Sequence, residues 1–145
     1  MRISLKTLII TLGVVVVVGL VIAFIMFNSS AKDLTRVKPD YSITSLELFS
    51  DFSADEKAAS EKYIGKVLEI RGVLGAFDFR NTSSGTVTLI TGDPTGMVIC
   101  RLASSEDIPN LHIGDIITIK GECSGMLMDV LVNNCVIVPF VLPGQ

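Results

Sequence analysis

Val67-Leu68-Glu69-Ile70-Arg71-Gly72-Val73-Leu74 has the alternation of a strand buried on one face. Leu68, Ile70 and Leu74 fall on the inward side, Glu69, Arg71 and Val73 on the other, and Gly72 allows a bend. Upstream of Gly65 the repeat is helical instead: Leu48, Phe49, Phe52, Ala59 and Tyr63 recur at steps of about three, four and seven. Thr44 or Ser45 suits the start of that helix. Ser53-Ala54-Asp55-Glu56 is a second capping pattern, with Ser53 as N-cap, where the helix is expected to break. Aromatic residues at helical spacing usually form a docking stripe, so Phe49, Phe52 and Tyr63 are assigned to the core rather than to a ligand site.

Beyond Leu74 the two-residue period continues in short runs. A polar stretch, Asp78 to Gly85, leads to a strand at Thr86–Thr91 with Val87 and Leu89 inward. Gly92-Asp93-Pro94-Thr95-Gly96 is a dense turn signal. Met97–Leu102 follows, with Val98, Cys100 and Leu102 on one face, and residues 103–111 read as a polar connection or a short helical turn. After Gly114-Asp115, Ile117 and Ile119 alternate with Thr118 and Lys120. Ser124-Gly125 is expected to turn the chain into a fifth strand, Val130–Val138. Five such strands behind a helix suit a mainly β domain closed into a small Greek-key barrel, since closure removes exposed edges. An open five-stranded sheet backed by the helix is the alternative.

Far upstream, twenty residues from Leu8 to Phe27 carry no charge. As a helix they span about 30 Å, the thickness of a bilayer's hydrocarbon core. They are read as a transmembrane helix, residues 8–27, after an N-terminal tail of residues 1–7. A signal peptide cleaved after Ser29-Ser30-Ala31 is the rival, although the apolar run exceeds the usual h-region of about 7–15 residues. No cysteine lies just after the run, which excludes a bacterial lipoprotein anchor. Arg2 and Lys6 precede the span while Lys32, Arg36 and Lys38 follow it. The short positive N-terminal end is taken to stay inside, which places the rest of the chain outside the cytoplasm, in the periplasm or its equivalent. Residues 28–44 read as a tether, 45–138 as the domain and 139–145 as a C-terminal tail.

Composition narrows the function. Of the 145 residues, 49% are hydrophobic and 19% charged, and the net charge is −3. After residue 31, ten Lys+Arg face fifteen Asp+Glu, a net charge of −5, the reverse of a phosphate-backbone binder's footprint. One histidine, no tryptophan and three scattered cysteines offer no acid–base pair, nucleophile–base pair or metal-ligand spacing. No enzyme, metal or cofactor is therefore expected. His112 is assigned to a loop, Asp51, Asp55 and Glu56 to the start of a helical turn, and Asp93 and Asp115 to turns.

The order of several short pieces is more specific than any one of them. Leu48, Phe49, Phe52, Glu56 and Ala59 lead into Lys62-Tyr63-Ile64-Gly65-Lys66. Then come Val98-Ile99-Cys100-Arg101-Leu102, Leu111-His112-Ile113-Gly114-Asp115, Ile119-Lys120-Gly121-Glu122-Cys123-Ser124-Gly125, Asp129-Val130 and Asn134-Cys135. Over about residues 45–138 this series resembles the tRNA-anticodon-like OB-fold family, small bacterial proteins often anchored by a lipid or an N-terminal helix. The resemblance implies an OB-fold and, by analogy of fold alone, nucleic-acid binding. It carries over no catalytic residue.

OB barrels hold single strands with aromatic platforms and a basic groove. Phe77 and Phe79 near the first loop, with Arg80, and Arg101 on the third strand are the local candidates, Phe77 being a candidate to close the barrel end and Phe79 a lone exposed ring. The expected partners are the lipid bilayer through residues 8–27 and an envelope protein, glycan or small ligand, with single-stranded nucleic acid as the alternative. Among the cysteines, a turn at Ser124-Gly125 would hold Cys123 and Cys135 about 20 Å apart, beyond disulfide reach. The third and fifth strands of an OB barrel are neighbours, so Cys100 with Cys135 is the expected disulfide, three buried free thiols being the other outcome.

Overall fold

A computed structural model describes residues 4–27, 34–80, 85–104 and 108–139. The Ala31 site, the first part of the tether (28–33) and the tail from 140 lie outside the described residues. The chain forms two units, residues 1–30 and 31–145.

The first unit is a single helix, α1 (Leu5–Phe27). Its 23 residues extend for about 34 Å, and it is aliphatic on all sides, without a polar face. The Thr11 hydroxyl donates to the carbonyls of Thr7 and Leu8 at 3.1 and 2.9 Å, so it is satisfied inside the helix. Length and composition fit a bilayer crossing, and they fit a signal sequence too.

The second unit is a closed barrel. Its elements are β1 (Tyr41–Thr44), α2 (Ser45–Ala54), α3 (Glu56–Tyr63), β2 (Val67–Asp78), β3 (Thr86–Ile90), β4 (Met97–Leu102), β5 (Ile116–Met126) and β6 (Val130–Val138). The strands pair in the order β1-β2-β3-β4-β6-β5, and β2 also pairs with β5, which closes five strands into an OB-fold ring. Within the barrel β2 serves two neighbours in turn, Val67 to Val73 pairing with β5 and Val73 to Asp78 with β3, while Leu68 to Arg71 also pair with β1 outside the ring. The strand bends where the partner changes, and Gly72 is needed there because a Cβ would lie 2.6 Å from Ser45 Oγ. β4 and β6 run parallel; the other barrel pairs are antiparallel.

Leu68, Ile70, Leu74, Val87, Leu89, Val98, Ile119 and Val130 fill the interior with no exposed surface. Leu48, Phe49 and Phe52 from α2, with Ala59 and Tyr63 from α3, complete this core, as the helical spacing requires. Thr44 caps α2: its hydroxyl accepts from the Glu47 N–H at 3.2 Å, and Glu47 Oε2 accepts from the Thr44 N–H at 3.0 Å.

Four expectations need correction. The helix breaks at Asp55, not Ser53: Asp55 Oδ1 accepts from the Ala58 N–H at 3.0 Å, and the Asp55 N–H closes α2 on the Asp51 carbonyl. A carboxylate is a charge-assisted acceptor, stronger than the serine hydroxyl. Ser124-Gly125 is not the hairpin turn, because β5 runs through to Met126 and the chain reverses over residues 127–129. Gly125 instead takes φ 114° at a bulge between Cys123 and Gly125. The register shift brings Cys123 opposite Val132, only three residues from Cys135, so the expected 20 Å gap does not exist. Residues 34–44 belong to the domain rather than to a tether. Leu34 is buried, Lys120 Nζ donates to the Thr35 and Val37 carbonyls at 3.3 and 3.0 Å, and β1 lies parallel to β2.

Candidate functional site

The outer surface of β2, β3 and β4 is where an OB barrel meets ligands, and the register defines it. Val73 lies opposite Ile90 and Ile90 opposite Met97; Ala76, Thr88 and Ile99 form the next row; Asp78, Thr86 and Arg101 the last. Val73, Ile90 and Met97 are exposed and aliphatic. Ring and cation chemistry is confined to the far corner. Phe77 and Phe79 stack there with centroids 5.2 Å apart and planes at 23°.

Phe79 is not the lone exposed ring that was expected, and Phe77 lies opposite buried Val87 at the end of the inward row. Phe79 is half-buried, packs on the core and lies over Gly85, so it closes the barrel end, while Phe77 is 41% exposed. Alternation does not distinguish two rings flanking a strand end. Arg80 pairs with Asp78 at 3.4 Å in the open, and its backbone N–H is held by the same carboxylate at 3.0 Å. Arg101 is exposed two strands away, about 10 Å from Asp78 across Thr86. Phe79, Arg80 and Arg101 thus share one corner.

A second feature was not visible in the sequence. A cleft of about 440 Å³ lies outside β2, β5 and β6, lined by Arg71, Leu111, Asp115, Ile116, Thr118 and Val138 among others. Register places Arg71, Thr118 and Val138 side by side. Asp115 is already committed, since its Oδ2 accepts from the His112 N–H at 2.9 Å and faces His112 Nδ1 at 3.6 Å.

Two further polar clusters hold parts of the fold together. The Tyr63 hydroxyl donates to Asp51 Oδ2 at 2.6 Å, joining α3 to α2, and Lys62 Nζ sits 4.6 Å from the Tyr63 ring centre. Burial, then the Asp51 hydrogen bond, raises the Tyr63 hydroxyl above the ordinary tyrosine value, which keeps it protonated. Asp93 accepts from the Thr95 hydroxyl and N–H at 2.6 and 2.8 Å, and these bonds hold its carboxyl below the usual value.

Cys100, Cys123 and Cys135 are all buried and all free thiols. The Cys100–Cys135 disulfide is not formed: Cys135 Sγ donates to the Val132 carbonyl at 3.4 Å, interaction with the Cys100 thiol and burial push the Cys135 thiol upward, and burial does the same for Cys123. Thiols so shifted are not nucleophiles at neutral pH. Among the described residues no group of three or more His, Cys, Asp or Glu is placed to hold a metal ion.

No curated protein matches the chain. Among solved structures, it is similar to a "putative nucleic acid-binding lipoprotein" from Klebsiella pneumoniae subsp. pneumoniae, with 20% identity and a TM-score of 0.53. The similarity covers 67% of this chain and 91% of that one, and it shows the shared fold. The tRNA_anti-like family matches residues 1–137, a span that takes in the apolar helix together with the barrel. The chain belongs to the tRNA_anti-like family.

Proposed function

We propose that α1 crosses the bilayer and holds the OB domain outside the cytoplasm, where the domain works as a non-catalytic binding module for an envelope protein. The observation that carries this is the outer β2–β3–β4 surface. Its Val73–Ile90–Met97 row and Ile99 are aliphatic, with Thr86 and Thr88 between them and the corner. Such a surface suits contact with another polypeptide. A strand-binding OB surface needs several stacked rings and a basic track, and the domain's net charge of −5 opposes a polyanion.

Single-stranded nucleic acid is the second reading. It is supported by the stacked Phe77 and Phe79 beside Arg80 and Arg101, and by the description of the Klebsiella protein. Titration of fluorescent single-stranded DNA and RNA with the full chain in nanodiscs at physiological salt separates the two. The expected result is no change in anisotropy. Binding that Phe77→Ala and Arg101→Ala both weaken would replace the first reading with the second.

A further inference from the structure

Among the described residues, the two most exposed large aliphatic side chains of the domain sit next to each other. Leu127 is 85% exposed and Met128 81% exposed, at the turn that joins β5 to β6. The turn is braced. The Leu127 N–H donates to the Asp129 carbonyl at 3.2 Å, and Asp129 Oδ1 accepts from the Met97 N–H at 2.8 Å. The one carboxylate at the tip therefore faces β4, and residues 124–128, Ser-Gly-Met-Leu-Met, contain no ionisable group. Met97, itself 46% exposed, extends the apolar surface sideways. Apolar side chains presented on a fixed turn without charge are suited to a lipid surface, where their transfer out of water is favourable and no ion has to be desolvated.

We propose that the β5–β6 tip, through Leu127 and Met128, docks into the acyl-chain boundary of the membrane that α1 spans. The proposal rests on the reading of α1 as a membrane anchor. Covalent reach supports this occupant over others. From Phe27 to Leu34 the chain can extend at most about 25 Å, so the domain never leaves the vicinity of the bilayer. Its attachment is at β5, where Lys120 holds the Thr35 and Val37 carbonyls. Leu127 lies seven residues on, just past the end of that strand, about 23 Å away, within the tether's reach of the lipid. Tethering also makes the encounter intramolecular, so even a weak two-residue insertion is populated. The opposite end of β5 exposes Ile113 and Ile116 too, but it places them beside the Asp115 carboxylate, a charge that is costly to take out of water.

The chain has no tryptophan, so single substitutions give clean probes. Leu127→Trp, Ile113→Trp and Phe24→Trp are each made in the full chain and reconstituted into nanodiscs of phosphatidylcholine and phosphatidylglycerol. Each is measured in plain lipid and in lipid brominated on the acyl chains, which quenches indoles that enter the hydrocarbon. The expected result is strong quenching of Phe24→Trp, a fall of roughly twofold for Leu127→Trp, and no change for Ile113→Trp. Quenching of Phe24→Trp without quenching of Leu127→Trp overturns the docking and leaves the anchor standing. Quenching of Ile113→Trp in place of Leu127→Trp overturns it as well, by putting the other end of β5 on the membrane. No quenching of Phe24→Trp overturns the anchor and the docking together.

Discussion

Thr44 and Glu47 satisfy each other at the start of α2, and the exchange has a pH signature. The Thr44 backbone N–H, then its hydroxyl, hold the Glu47 carboxyl below the ordinary value. A carboxyl depressed in the folded state contributes stability that is present above its unfolded pKa and lost as pH falls through the folded one. Glu47→Gln is therefore expected to lower the urea midpoint at pH 7, and the gap from wild type is expected to close as pH drops below the ordinary carboxylate value. A gap that persists unchanged at pH 3 contradicts the capping account. Gly121 tests packing rather than charge. A Cβ there would lie 2.6 Å from Cys135 Sγ, 2.7 Å from Val132 Cγ1 and 3.0 Å from the Asn133 carbonyl, atoms of the neighbouring strand. Gly121→Ala is expected to destabilise by about 1–3 kcal/mol in chemical denaturation, the usual range for overpacking. A change near zero would mean that β6 can move away.

At the scale of elements, α2 closes the barrel through Phe49, which lies against Gly96, and Phe52. Phe49→Ala is expected to lose about 3–5 kcal/mol, read by chemical denaturation, as for a buried ring that leaves a cavity. Elements that bury one face were legible in the sequence. The strands Met97–Leu102 and Val130–Val138 have the expected limits, and the Phe49, Phe52 and Tyr63 stripe faces the core as its spacing required. Elements held by backbone alone were not. β1 is short and mostly exposed, and it is held by pairing with β2 and by Asp40, whose carboxylate accepts from the Val67 N–H at 2.9 Å. Nothing in the side-chain period of Tyr41–Thr44 reports such a strand. Ser124-Gly125 misled for a related reason: glycine at positive φ serves a bulge as well as a turn, and only the pairing partner distinguishes them.

At the scale of the whole molecule, the apolar helix and the acidic character of the domain were plain from the sequence, because each depends on many residues together. The surface was less legible. Arg101 lies about twenty residues after the adjacent Phe79 and Arg80 and reaches their corner only through the β2–β3–β4 register. The Arg71 cleft and the Leu127–Met128 tip depend on closure of β5 against β2 and on where the hairpin turns. The side of the membrane on which this surface lies is open to direct measurement. Lys57 is exposed on α3, whereas the three native thiols are buried, so Lys57→Cys adds one accessible thiol without removing any other. The measurement is labelling of this variant in intact cells with a membrane-impermeant maleimide, with the unsubstituted chain as the blank. Labelling before lysis is the expected result and places the domain outside the cytoplasm; labelling only after lysis contradicts the account.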